Sequence, residues 1–149
     1  MRTSTAQHLA ALDALTARVF PDHSEYCRSA LRDSGPGHHV VPLATSEDFW
    51  EDDGTRRLIV EDRYEAERDA LAVLLDIRWG APRILGLRDV LERGMSGEDV
   101  PEPWATLSCH VPDLYLWRAG ERWIGLGVAQ WDKELPFQLV AVVTTVDPP

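Results

Sequence analysis

The spacing of apolar positions changes along the chain, and the change predicts its layout. Leu9, Leu12, Leu15 and Val19 recur at helical intervals behind Thr3 and Ser4, which are good capping residues, and ahead of Pro21. A shorter helix is expected over 24–33, burying Tyr26, Cys27, Ala30 and Leu31 and ending at Gly35-Pro36-Gly37, where glycine and proline resist continuation. Residues 38–44 read as an edge strand, because Pro42 has no amide to give to an interior ladder. The clearest helical pattern covers 61–78. Its first turns are acidic, which suits the positive end of a helix dipole, and Ala66, Ala70, Val73, Leu74 and Ile77 form one apolar face that Leu71 and Leu75 widen. Gly80 and Pro82 supply the stop. A short helix over 87–93 and a loop rich in Gly, Pro and acids over 94–103 follow.

Beyond that loop the period shortens to two. Residues 105–111, 114–117, 123–131 and 137–146 predict strands, joined by a hairpin loop at Arg118-Ala119-Gly120 and a second connection over 132–136. Residues 137–143 are almost all apolar, the texture of a strand covered on both faces. Helices first and a meander afterwards predict an α+β fold, with N-terminal helices packed on one face of a C-terminal antiparallel sheet of about four strands. At 149 residues, without internal repeat or long linker, the chain reads as one domain over 1–149.

Charge narrows the function classes. The net charge of −10 argues against a nucleic-acid-binding protein, which needs a basic face to displace counterions from phosphates. Eleven acidic residues oppose four arginines over 46–76, so −7 of the −10 lies in that segment. No apolar run approaches the roughly 20 residues of a membrane helix, and no secretory leader is evident. A cytoplasmic location is therefore expected, with Cys27 and Cys109 as reduced, buried thiols.

Motifs for chemistry are sparse. His8, His23, His38, His39 and His110 make no HxxxH or HExxH pattern, so no metal site is expected, although His38, His39 and Cys109 could meet through the fold. In Ser108-Cys109-His110 the neighbours would alternate faces of a strand and could not form a nucleophile–base pair, so no catalytic residue is assigned. Gly125 and Gly127 lie inside a strand without the third glycine of a phosphate loop; close packing of a helix against the bare backbone is the favoured reading, and a ligand lying over the stripe the alternative. No cofactor is implied. Of the six tryptophans, Trp50 stands apart, because Glu47-Asp48-Phe49-Trp50-Glu51-Asp52-Asp53 sets two aromatics among acids. Such a run either anchors a loop to the core with its acids solvated, or presents an aromatic anchor with an acidic rim to a basic partner. Its spacing does not match an EF-hand calcium loop.

The segments Pro101-Glu102-Pro103-Trp104, Leu116-Trp117-Arg118, Arg122-Trp123-Ile124-Gly125-Leu126-Gly127-Val128 and Asp132-Lys133-Glu134-Leu135-Pro136-Phe137 resemble small uncharacterised proteins of high-GC actinobacteria, over about residues 60–149. That resemblance implies no activity and carries over no functional residue. In character rather than in motif, a small acidic α+β chain rich in tryptophan is similar to immunity proteins that neutralise bacterial toxins.

The leading functional expectation is a non-enzymatic protein-binding module, immunity-like or regulatory. Asp48, Phe49, Trp50, Glu51, Asp52 and Asp53 would dock a protein partner with a basic surface. The alternative is a small-ligand-binding protein or enzyme with a pocket between helices and sheet, drawing on Ser108, His110, Tyr115, Gln130 and Gln138. A scaffold subunit assembling through exposed tryptophans is a third possibility.

Overall fold

The most apolar stretch of the chain is covered on both sides. All eight residues of Phe137–Thr144 are buried, so the layers above and below this strand must both be apolar. A computed structural model of the chain describes residues 4–23, 25–27, 32–130 and 134–149, with the backbone alone at 25–27 and 32. The elements in chain order are α1 (Thr5–Thr16), β1 (Glu25–Cys27), β2 (Arg32–Gly35), β3 (His38–Thr45), α2 (Thr55–Trp79), β4 (Arg83–Gly86), α3 (Leu87–Met95), α4 (Trp104–Ser108), β5 (Asp113–Ala119), β6 (Arg122–Gln130) and β7 (Phe137–Thr144). The described strands form one sheet in the order β1-β2-β3-β7-β6-β5-β4, and every neighbouring pair is antiparallel.

Alternate residues of β7 feed two cores. Leu139, Ala141 and Val143 pack with Leu12 and Leu15 of α1 and with Val60, Tyr64, Leu71 and Leu75 of α2. Val140 and Val142 pack with Leu87 and Val90 of α3, Trp104 and Leu107 of α4, and Leu114 and Leu116 of β5. The α+β class stands, but two parts of the expected architecture do not. Helices cover both faces of the sheet, and the sheet has seven described strands, not about four.

The extra strands come from segments that local pattern assigned otherwise. The helix expected over 24–33 is replaced by β1 and β2, with residues 24 and 28–31 outside the described region. β2 is held by pairing to β3 and β1 by pairing to β2, interactions that outweigh modest helix propensity. β3 is interior, between β2 and β7, and not the expected edge. Pro42 is tolerated because the register with β7 shifts between Pro42 and Ala44, and a bulge relaxes the ladder where the amide is missing. Residues 105–111 do not form a strand. Trp104 and Leu107, one turn apart, are fully buried on α4, and Ser108 Oγ donates to Ala105 O at 2.7 Å. Cys109, expected to be buried, follows that helix and is exposed.

Elsewhere local pattern and structure agree. Ser4 caps α1 in a reciprocal box with Gln7. Gly80 ends α2 with φ 82°, its N–H donating to Asp76 O at 2.8 Å. β6 and β7 are neighbours, as their short connection predicts. The β5–β6 turn is tighter than the expected three-residue loop, since Ala119 pairs directly with Arg122, and Gly120 supplies φ 65°. The glycine stripe is a packing device, although what packs on it is not the expected helix: a Cβ on Gly127 would fall 2.7 Å from Val111 Cγ1 and 3.2 Å from Asp113 O, at the entry to β5. No helix among the described residues is long and apolar enough to cross a membrane.

α2 is rotated relative to expectation. Its buried residues are Val60, Tyr64, Leu71, Ala72 and Leu75, while Val73 and Ile77 are 60% and 79% exposed and Ala66 and Ala70 also face outward. Two polar anchors hold this rotation. The Trp117 indole Nε1 donates to Asp76 Oδ1 at 3.0 Å and to Gly80 O at 3.1 Å, fixing the end of α2 to β5. Tyr115 Oη donates to Asp69 Oδ1 at 3.1 Å two turns earlier.

Candidate functional site

The acidic aromatic segment forms the loop between β3 and α2, and backbone bonds tie it to β7. Ser46 N donates to Phe137 O at 2.8 Å, and Phe137 N donates to Ser46 Oγ at 2.9 Å. Phe49 N donates to Glu134 O at 2.8 Å. The Phe49 ring is buried, edge-on to Phe137 with centroids 5.8 Å apart. With Phe49 turned inward, its neighbour Trp50 is turned out and is 62% exposed. The two aromatics therefore divide the roles that the sequence left open between them: one anchors the loop and the other meets solvent.

The acids divide as well. Asp52 Oδ1 accepts from Arg56 N at 3.2 Å and Oδ2 from Arg57 N at 2.9 Å, while Asp53 Oδ1 accepts from Thr55 N at 3.0 Å. These are the orphan amides at the start of α2, so both carboxylates cap the helix and are not simply solvated charges. The bond from the Thr55 amide holds the Asp53 carboxyl below its usual range. Glu47 is held low in the same way by Arg56, whose Nη2 lies 2.7 Å from Glu47 Oε1. Asp48 and Glu51 remain as exposed acids beside Trp50. Together Asp48, Phe49, Trp50, Glu51, Asp52 and Arg56 line an open concavity of about 450 Å³.

A second cleft, of about 250 Å³, opens between α2 and the sheet. Arg57, Glu61, Glu65 and Arg68 of α2 form one wall, facing His110, Asp113 and Gln130. Arg57 Nη2 donates to Gln130 Oε1 at 2.9 Å, and its guanidinium carbon sits 5.4 Å from the centre of the Phe137 ring. Gln130 Nε2 in turn donates to Leu135 O at 2.9 Å. Arg68 lies 4.6 Å from the Tyr115 ring centre. Burial lowers the His110 pKa, which favours a neutral imidazole. Of the polar groups expected to converge in such a pocket, His110 and Gln130 reach it. Ser108 is spent on Ala105 O, Tyr115 bonds Asp69, and Gln138 is buried within β7. The two cleft arginines carried no sequence signal beyond their place in a charged helix.

The remaining expected candidates do not gather into a site. Among the described residues no group of three or more His, Cys, Asp or Glu is placed to hold a metal ion. His38 Nε2 lies 3.2 Å from Asp33 Oδ2, and His39 Nδ1 lies 2.8 Å from Ser34 Oγ. Both pairs are buried in the β2–β3 hairpin. Trp131 and the side chain of Cys27 lie outside the described residues. No family model, no curated protein and no solved structure matches this chain.

Proposed function

We propose that the protein is a non-enzymatic binding module, immunity-like or regulatory, that docks the basic surface of a partner protein over Trp50. The observation carrying this reading is a large aromatic, 62% exposed, in an acid-rimmed concavity whose backbone is clamped to the central strand. An indole face between carboxylates suits an arginine or lysine side chain, through cation–π attraction and ion pairing. The clamped loop loses little entropy on binding, so more of the contact energy is retained. Completing the burial of Trp50 removes roughly 100–150 Å² of apolar surface from water, worth about 2–3 kcal/mol. Affinity would then fall roughly 30- to 150-fold on Trp50→Ala.

Two kinetic signatures test the reading on a partner captured from the native host. Asp48→Lys with Glu51→Lys slows association, and the slowing shrinks as salt rises. Trp50→Ala speeds dissociation instead. Partner kinetics that none of these changes alters sink the proposal. The convergence of His110 and Gln130 in the second cleft supports the alternative of a small-ligand-binding protein or enzyme. A ligand-screen stabilisation lost in His110→Ala but kept in Trp50→Ala would favour it.

A further inference from the structure

The outward face of α2 carries an apolar stripe that the fold leaves uncovered. Ile59, Ala66, Ala70, Val73 and Ile77 recur at intervals of seven, four, three and four residues, the spacing of a coiled-coil seam. At 100° per residue their mean direction lies roughly 140° from that of Val60, Tyr64, Leu71 and Leu75, which face the core. Ile59, Val73 and Ile77 are 62%, 60% and 79% exposed. α2 is thus apolar on two faces, and only one is covered by the described residues. The neighbouring helix α1 has the same character, with Ala6, Ala10 and Ala14 outward and Leu12 and Leu15 inward.

We infer that this stripe docks an amphipathic helix of a partner protein with basic residues flanking its apolar seam. Charge selects that occupant. Asp62 and Asp69 line one border of the stripe, both exposed, with Asp69 Oδ1 already accepting from Tyr115 Oη and Arg68 Nε. A second copy fits poorly: an antiparallel two-fold pairing centred between Ala66 and Ala70 sets Asp69 beside its own copy and Asp62 beside Asp76, in chains of net charge −10 each. A helix with Lys or Arg at those flanks meets carboxylates instead. Extent points the same way. From Ile59 to Ile77 the stripe runs about 27 Å, and a strip about 10 Å wide covers some 270 Å², well short of the about 800 Å² per partner of a standard interface. That suits a single helical ligand of micromolar affinity better than a permanent dimer. This surface is separate from the Trp50 concavity and does not depend on it.

Fluorescence anisotropy with synthetic helices tests the inference. The probe is a labelled four-heptad peptide with Leu and Ala at its seam and Lys at its flanks. The controls are the same peptide with Glu flanks and a scrambled peptide of the same composition as the Lys form. Expected is micromolar binding of the Lys peptide, at least tenfold tighter than either control. Val73→Gln with Ile77→Gln leaves net charge and thermal melt unchanged yet weakens this binding at least tenfold. Trp50→Ala leaves it unaltered, so failure of the Trp50 reading is seen separately. Equal binding of the scrambled peptide, or full binding by the double variant, overturns the inference. So does a dimer in sedimentation equilibrium that the double variant dissolves, which would assign the stripe to a second copy.

Discussion

Asp52 is the residue at which charge and structure are most easily confused. In the sequence it is one more acid of an acidic run. In the fold its two carboxylate oxygens hold the amides of Arg56 and Arg57, at 3.2 and 2.9 Å. Asp52→Ala removes both acceptors from the start of a 25-residue helix and leaves those amides to water or to nothing. Loss of a capping side chain costs about 0.5–2 kcal/mol. Loss of a negative charge at the positive end of the dipole adds about 0.3–1 kcal/mol. The expected total is about 2 kcal/mol. With a urea slope of about 1–3 kcal/mol per molar, the unfolding midpoint drops by roughly 1 M with the slope unchanged. Asp52→Asn keeps an acceptor and loses the charge, so it falls between. Asp48→Ala, the exposed acid of the same loop, stays within about 0.5 kcal/mol of wild type. Equilibrium urea unfolding of the four proteins checks this. If Asp52→Ala and Asp48→Ala unfold together, the capping argument is wrong and Asp52 is a solvated charge after all.

Burial and exposure set three further outcomes. His8 is buried, neither ring nitrogen has a hydrogen-bond partner among the described residues, and desolvation lowers its pKa, offset in part by Glu67. The unfolded chain therefore takes up a proton that the fold refuses, and stability falls as pH drops below about 6.5, at up to about 1.4 kcal/mol per pH unit; a stability gap between wild type and His8→Leu that stays constant from pH 7.5 to 5 would contradict this. Leu71→Ala costs about 2–5 kcal/mol and Val73→Ala less than about 0.5, because one is fully buried and the other 60% exposed, and thermal melts should separate them. Cys109 is exposed, so a native-state thiol titration shows a fast phase that Cys109→Ser removes.

How much of the site was legible depends on the residue. The 46–53 run advertises itself by composition, and Trp50 is indeed at the surface. That Phe49 would be the anchor was not legible, because two adjacent aromatics carry the same local signal and only the Phe137 ring distinguishes them. Capping by Asp52 and Asp53 was hidden by the start of α2. The acidic first turn suggested a beginning at 61, whereas Gly54 and the two aspartates open the helix at Thr55. The second cleft draws its walls from α2, the α4–β5 loop, β6 and β7, segments that no window of local pattern spans.

By itself the sequence determined what is local. Periodicity marked α2 and its stop at Gly80, the β6–β7 hairpin and the α+β class, because each is written in the spacing of residues within one segment. Tertiary structure decided what belongs to two segments at once. α2 offers two apolar faces of similar length, and periodicity cannot rank them. Tyr64 against Phe137, with ring centroids 6.4 Å apart, and Asp76 beneath the Trp117 indole choose the buried one from across the chain. β2 is a strand because β3 offers an edge to pair with, β1 because β2 offers the next, and β3 in turn is interior because β7 lies on its other side. Burial and pairing are properties of contacts, and the partners in those contacts lie tens of residues away.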